Sequence, residues 1–460
     1  MNKNTIQNNQ LIYDLVGVGI GPFNLGLAAL SQPIKGLNCL FIDQNESFNW
    51  HPGLLLANTT LQVPFMADLV TFADPQSPYS FINYLHTHNR LYKFYFYENF
   101  FILREEYNHY CQWVAQQLGN LKFNTAVIDI KFVDSDMDDE IYQIVIKDLT
   151  NQSVSKIYSR HIALGTGTSP HIPARLSNIK HPNVLHSANF LEYEAKLRNL
   201  QSVCVVGSGQ SAGEIVLELL KQQDQHPRQL TWLTRANGFF PMEYSKLALE
   251  HFSPDYMTNF YQLDGATKHS LIEKQDLMYK GISKQTIADI FDELYRQSIG
   301  NKPQPLNLLA NTNLDEIVVN NNSSTQQINL HTNNLLTKNR QQFMCDAVIL
   351  ATGYAMQSTQ LLNSLNQDLV QNDTKSYALN ADFSLQNKAL NKHKIFMQNN
   401  SLNSHGVGSP DLGLGCHRNI IILNSILGYE HYTTQKNTVF QNFNFNTQKG
   451  HECVNYTTFH

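Results

Sequence analysis

The amino-acid sequence predicts an α/β protein with two Rossmann-like domains and a small, mostly helical insertion. Three observations carry this. Apolar strands run into glycine-rich turns at 11–30 (LIYDLVGVGIGPFNLGLAAL), 202–220 (SVCVVGSGQSAGEIVLELL) and 346–354 (DAVILATGY). Another strand, HIALGTGTSP at 161–170, also ends in glycines. Helical segments separate these strands, and such alternation implies parallel sheet. At 460 residues the chain exceeds a usual single core, so two or three domains are expected.

In chain order, the first turn places Gly17, Gly19 and Gly21 directly after the strand IYDLV. A turn of this kind sets backbone N–H groups and a helix N-terminus against a pyrophosphate. Pro22 stands where a third fingerprint glycine belongs, and proline is tolerated at a helix start because its missing N–H would have no partner there. The strand CLFID ends at Asp43, whose carboxylate suits the adenosine ribose hydroxyls. HYCQWVAQQLGN (109–120) reads as a helix ending on Gly119.

The second turn runs Gly207-Ser208-Gly209-Gln210-Ser211-Ala212-Gly213-Glu214. Its next strand, QLTWLTR, ends in Arg235 rather than an acid. A cation there suits a 2′-phosphate and favours NADPH over NADH, the plainer alternative being an exposed strand-end arginine. In SKQTIADIFDELYRQSIG (283–300), Ile287, Ile290, Phe291, Leu294 and Tyr295 fall at helical spacing, with Ser283 as N-cap and Gly300 past the end. Residues 311–345 alternate apolar and polar around NNNSS and read as strands with a loop. The expected division is a first dinucleotide-binding part at 1–165 and a second such domain at 200–340, with the helical insertion at about 240–300. The first domain resumes at 341–445, and 446–460 form a tail.

Composition excludes several classes. A formal charge of −5 gives no reason to expect nucleic acid or an anionic membrane as partner. No apolar run is long enough to span a bilayer, since 15–30 is broken by glycines, Pro22 and Asn24. The six cysteines are scattered without CxxC spacing and read as reduced thiols of a cytoplasmic protein. The 18 histidines are dispersed, and no metal site is expected.

Two dinucleotide sites on one chain suggest a flavin and a nicotinamide exchanging a hydride. A disulfide reductase would need a close cysteine pair, which is missing. A ketone-oxidising monooxygenase would carry FxGxxxH between the turns, but around His186 the corresponding positions are Lys180 and Pro182.

The blocks GVGIGPFNLGLA (17–28), NWHPGLLL (49–56), LQVPFMADLVTFADPQSPYSFINYLH (61–86), GSGQSAGE (207–214) and ATGY (351–354) carry a resemblance. In this order over nearly the whole chain, the sequence resembles the flavin-dependent N-hydroxylating monooxygenases of siderophore biosynthesis, the lysine and ornithine N-hydroxylases. The resemblance implies that NADPH reduces FAD and that reduced flavin takes O2 to a C4a-hydroperoxide. A neutral primary amine then attacks its distal oxygen. It also implies a homodimer or homotetramer. By motif, Gln62 falls beside flavin and nicotinamide, Trp50 and His51 line the isoalloxazine, and Ser211 and Arg235 belong to the NADPH site. Ser283 matches a stretch on the nicotinamide side in relatives, or serves only as a helix cap. Leu412 and Leu414, in GVGSPDLGLGCHRN (406–419), fall where the family closes over flavin and substrate.

One position departs from the amino-acid hydroxylases. They have FLKDL where this chain has FMADL (65–69), and their lysine holds the substrate α-carboxylate; here the match is Ala67. A carboxylate buried against a methyl group loses its water without return, at a cost on the order of a few kcal/mol. Decarboxylated amines therefore fit better: putrescine, cadaverine, diaminopropane or histamine. A diamine's distal ammonium needs an acceptor, and Glu243, Glu250 and Asp255 are the candidates, with Leu249 in the same segment. Replacement of the lysine by another cation, Lys246 being nearest, would return ornithine or lysine as substrate. A reading of another class is an uncoupled NADPH oxidase or a flavin-binding regulatory protein.

Overall fold

The computed structural model describes residues 11–444 apart from 134–140, 301, 303, 320–326, 357–359, 372–376 and 389–391. The expected tail at 446–460 and the loop NNNSS lie outside the described residues.

Two sheets organise the chain. In the first, strands lie in the order Leu121–Lys122, Cys39–Ile42, Ile12–Val18, Val154–Leu164, Ile141–Asp148 and Thr125–Val133. Ile395–Met397 returns to pair in parallel with Ile162, Ala163 and Leu164. Ile12–Val18 is parallel to both its neighbours, and helix Pro22–Ser31 follows it directly. That helix is buried from Asn24 to Ser31, as a mostly apolar helix is, and its two polar side chains, Asn24 and Ser31, donate to backbone carbonyls. The second sheet is wholly parallel, in the order Leu306–Leu309, Gln229–Leu233, Ser202–Val206, Ala347–Leu350, Val184–His186. Its strands read as continuous β-branched and apolar runs, the pattern of strands covered on both faces. A three-stranded antiparallel sheet, Thr312–Val319, Ile328–Asn334 and Arg340–Cys345, follows it.

The pairing moves two expected boundaries. Ala347–Leu350 is hydrogen-bonded to Ser202–Val206, so the second domain extends past 341, and the return to the first sheet begins only after Leu350. Val184–His186 lies on the far side of Ala347–Leu350, which brings the second domain's start before 200. The chain crosses between the sheets twice, and the two crossings pair: Thr168–Pro170 runs antiparallel to Tyr354–Met356.

The helical insertion contains Lys246–Leu249, Pro254–Tyr261, Gly265–Lys274, Leu277–Lys280 and Lys284–Ser298. The last starts on Ser283, whose hydroxyl accepts from the Thr286 N–H. The helix expected at 109–120 begins earlier and spans Arg104–Gln117, with Glu105 and Glu106 in a first turn that favours acids.

Candidate functional site

The first glycine turn opens onto a cleft of about 1160 Å³. It is lined by the turn itself, by Asp43, by Trp50 and His51, by Gly165 to Thr168 and by Leu412. Gly19 has φ +84, and a Cβ there would lie 2.4 Å from the Gly165 carbonyl oxygen, so this turn admits only glycine. A Cβ on Gly21 would meet nothing within 4 Å. Backbone is thus bare toward the cleft at the N-terminus of helix Pro22–Ser31, as close approach of a pyrophosphate requires. Asp43 stands at the strand end, its Oδ2 accepting from the Ile20 N–H at 2.6 Å and its Oδ1 from Asn45 N–H at 2.8 Å.

His51 has φ +49, which turns the WHPG segment toward the cleft. Burial, then the nearby Arg104 charge, lower the imidazole pKa, favouring the neutral ring. Trp50 packs edge-on to His51, and His51 to Tyr354. Gln62 Oε1 accepts from the Tyr244 hydroxyl at 3.2 Å, while its Nε2 is buried without a partner. A buried amide donor left unsatisfied costs about 1–3 kcal/mol, and a flavin or nicotinamide acceptor at this place would satisfy it. Cleft, bare turn and orphaned amide together fit a dinucleotide cofactor.

The second turn is built alike. Gly207 has φ +132, and a Cβ on it would lie 2.2 Å from the Ala351 carbonyl oxygen. Gly209 caps helix Gln210–Lys221, and Ser208 and Ser211 beside it are partly open. Arg235 is exposed two residues beyond the strand Gln229–Leu233. Gln210, in the second fingerprint, and Ser283, expected on the nicotinamide side or as a helix cap, are joined to each other: Gln210 Oε1 accepts from the Ser283 N–H at 2.6 Å, and its Nε2 donates to Glu214 and Thr286. These groups serve the helix junction, so Ser283 acts as a cap.

The two domains meet through a bidentate ion pair. Arg104 Nη1 and Nη2 donate to Glu214 Oε2 and Oε1 at 2.8 and 2.7 Å, and Arg104 Nε to the Thr60 carbonyl at 3.1 Å.

Ala67 is buried, and its methyl lies 3.9 Å from the point a Gly413 Cβ would occupy. Asp411 Oδ1 lies 2.9 Å from the same point and accepts from the Gly413 N–H at 2.7 Å. Among the described residues, Asp411 Oδ2 takes no hydrogen bond. The residue is half-buried and its carboxyl is hemmed in by protein, between the cleft-lining Pro410 and Leu412. Desolvation pushes its pKa up to about 6 against the opposing pull of the Gly413 N–H and the Arg418 charge. Arg418 is buried between Phe23 and Phe383 and holds the loop by donating to the Ser409 carbonyl.

The three acids expected to meet the substrate are engaged elsewhere. Glu243 is exposed and accepts from the Ser245 N–H. Glu250 accepts from Phe440 N–H and Gln441 N–H, and Asp255 from Asn437 N–H and Thr438 N–H, so both clamp the segment 437–441. Leu249 and Lys246 are exposed on Lys246–Leu249. Leu412 lines the cleft, but Leu414 packs inward with Met257 and Phe383. Asp411 was missed. The signal was a lone charge in the apolar, glycine-rich stretch GVGSPDLGLGC, inside a block already assigned to closure over the flavin.

Among the described residues no group of three or more His, Cys, Asp or Glu could hold a metal, and no helix is long and apolar enough to cross a membrane. The family model for L-lysine 6-monooxygenase/L-ornithine 5-monooxygenase matches residues 11–356. The chain belongs to this family. Family relatives include the putrescine N-hydroxylase of Shewanella oneidensis, 40% identical over 95% of this chain and 85% of its own. The putrescine N-hydroxylase of Acinetobacter baumannii is 41% identical over 95% and 94%. Among solved structures, the FAD-bound cadaverine monooxygenase of the desferrioxamine pathway from Erwinia amylovora superposes with a TM-score of 0.90. It is 37% identical, over 96% of this chain and all of that one.

Proposed function

We propose that the protein N-hydroxylates one primary amine of a small diamine of the putrescine or cadaverine type, using FAD, NADPH and O2, in siderophore biosynthesis. The observation that carries this is the pairing of Ala67 with Asp411 around Gly413. The methyl leaves an α-carboxylate without a partner, and the acid offers one to an ammonium. Both relatives named putrescine N-hydroxylases and the cadaverine monooxygenase support the same substrate class.

Bound FAD, once reduced by NADPH, supplies oxygen in the form that an amine can attack. One oxygen atom enters the N–O bond, the other leaves as water, and NADPH is oxidised. The chain's own residues bind and orient. Asp411 holds the distal ammonium and so sets how far the reacting nitrogen reaches. A free alkylamine has a pKa of about 10.4, and desolvation deep in the site favours its neutral, nucleophilic form. Gln62, fixed by Tyr244, positions the flavin edge against the nicotinamide, with Trp50, His51 and Leu412 around it. The glycines at 17, 19 and 21 with Pro22 and Asp43 hold the FAD pyrophosphate and ribose. Gly207, Ser208, Gly209, Ser211 and Arg235 hold NADPH. We place the reaction in the cytoplasm, in keeping with five buried free cysteines among the described residues.

The test is hydroxylamine formation with purified enzyme, comparing putrescine, cadaverine, diaminopropane and histamine with ornithine and lysine. A diamine is expected to react and the amino acids are not. Turnover of ornithine or lysine instead would mean that the carboxylate has another partner. Peroxide release with every amine and no hydroxylamine would favour an uncoupled oxidase.

Binding should also report Asp411 directly. Its folded pKa is raised to about 6, so the carboxylate is charged above that value and neutral below it. The Kd of putrescine, followed by calorimetry, is expected to weaken as pH falls through about 6. With Asp411→Asn the same limb should be flat, and a limb that persists in the variant would assign the titration to another group.

A further inference from the structure

Glu250 and Asp255 are engaged away from the substrate, yet the segment they hold runs from the first domain to the helical insertion. That segment leaves helix Gly415–Leu427. Its base is tied down at Tyr432, whose hydroxyl donates to the Leu30 carbonyl at 2.8 Å. Asn424 grips the same residue, its Nδ2 donating to the Tyr432 carbonyl and its Oδ1 accepting from the Tyr432 N–H. Further on, Glu250 accepts from the N–H groups of Phe440 and Gln441 at 3.0 and 2.9 Å, and from Gln441 Nε2 at 3.0 Å. Asp255 accepts from Asn437 N–H at 3.1 Å, Thr438 N–H at 2.8 Å and the Thr438 hydroxyl. Backbone N–H groups outside helix and sheet need other acceptors, and a charged acceptor makes the stronger bond. Residues 437–443 thus form a strap, anchored on one domain and clasped by the other.

The two carboxylates flank residues 251–254, and the loop that carries Asp411 rests on this same stretch. A Cβ on Gly408 would lie 2.9 Å from Phe252 Cα and 3.2 Å from the His251 carbonyl oxygen. One on Gly406 would lie 3.2 Å from the Tyr256 ring. At Gly408 the contact is backbone on backbone, so a shift of 251–252 moves the loop with it. Asp411 follows Gly408 through one bond, its N–H donating to the Gly408 carbonyl at 3.0 Å. Apolar packing runs along the same path: Phe443 of the strap, Tyr256 and Phe260 of the insertion and Val407 of the loop share one buried cluster. Phe443 lies edge-on to Tyr256, with ring centres 5.0 Å apart. We propose that the strap, clasped by Glu250 and Asp255, fixes the place of Asp411 and thereby the length of diamine that reaches the flavin. Glu250 and Asp255 are then positioning residues, and the inference rests on Asp411 as the partner of the distal ammonium. With both ends of the amine held, one methylene more or less costs about tenfold or more, and a loosened end loses that discrimination.

Steady-state hydroxylamine formation by the FAD-loaded enzyme, with putrescine and with cadaverine, tests this. Glu250→Gln with Asp255→Asn sets amide donors where strap donors point, which opens the clasp with little change of shape. The double variant is expected to raise KM for the better diamine about threefold to tenfold, with kcat within about twofold of the wild type. Its preference between the two diamines should narrow by a similar factor. Phe443→Ala should reproduce both effects from the strap's own side. Flavin reduction by NADPH without amine should keep the wild-type rate, since the clasp holds neither cofactor. In an Asp411→Asn background the clasp variants should change nothing further, because they act through that carboxylate. An unchanged preference in both clasp variants, with Asp411→Asn still raising KM, overturns the proposal and leaves the substrate reading standing. So does a lowered unfolding temperature with the preference intact, which is all that a merely structural strap would give. An effect that persists in the Asp411→Asn background overturns action through Asp411. KM unchanged in Asp411→Asn itself overturns the substrate reading, and the proposal with it.

Discussion

Asp411→Asn is expected to lower kcat/KM for putrescine by on the order of a hundredfold to a thousandfold, with FAD retained. Removing one partner of a desolvated, hydrogen-bonded charge pair costs about 2–5 kcal/mol, a rate ratio of roughly 30 to 5,000 whose middle is that range. Asparagine keeps the size and the acceptor for the Gly413 N–H, so the loop conformation is preserved and the charge alone is lost. Steady-state hydroxylamine formation reads the effect. Anaerobic reduction of the flavin by NADPH provides the control, because that half-reaction does not need the amine's distal end. Equal loss in both would move Asp411 out of the substrate site and into the fold of the 406–414 loop. An unchanged KM would leave the distal ammonium without its proposed partner.

The second large effect concerns the clasp between the domains. Arg104 and Glu214 side chains are 15% and 4% exposed and paired through two bonds. Arg104→Ala strands a buried carboxylate, a loss expected to destabilise the protein by about 3–5 kcal/mol. Replacing both, Arg104→Met with Glu214→Leu, should recover most of that, because no buried charge is left unpaired. The midpoint of urea unfolding checks the order of the three proteins. If the double variant is as weak as Arg104→Ala, the pair contributes through shape and not through charge. The double variant should still be slow in flavin reduction by NADPH, since apolar side chains lack the fork geometry that fixes helix Gln210–Lys221 against helix Arg104–Gln117.

These two residues show where sequence reading reaches and where it stops. The glycine turns were legible because their chemistry is local: strand, bare backbone and helix start lie within a dozen residues. Ala67 was legible as a departure from a motif. Glu243, Glu250 and Asp255 were misplaced because nothing local shows which donors an acid will find. Glu250 and Asp255 are satisfied by backbone N–H groups about 180 to 190 residues further along the chain. Gln210 lies in a cofactor fingerprint, yet its side chain is taken by Ser283, 73 residues away. The end of the second domain was placed too early for a similar reason. DAVILATGY looks like the start of a returning nucleotide fold, but its strand pairs with Ser202–Val206. Pairing partners of parallel strands are chosen by topology, and local sequence carries little of that choice.

The paired crossings at Thr168–Pro170 and Tyr354–Met356 have a consequence for how the protein is made. The flavin cleft takes wall residues from Val18 to Thr168 and then from Gln360 to Leu412, with the whole second domain synthesised in between. At a ribosomal pace of about 5–20 residues per second, the first half waits roughly 10–50 seconds for Asn399, Pro410 and Leu412. During that interval the inserted domain has all five of its parallel strands and closes on itself. The host sheet still lacks Ile395–Met397. The first sheet and the walls of its cleft are therefore complete only after the whole of the second domain has been made.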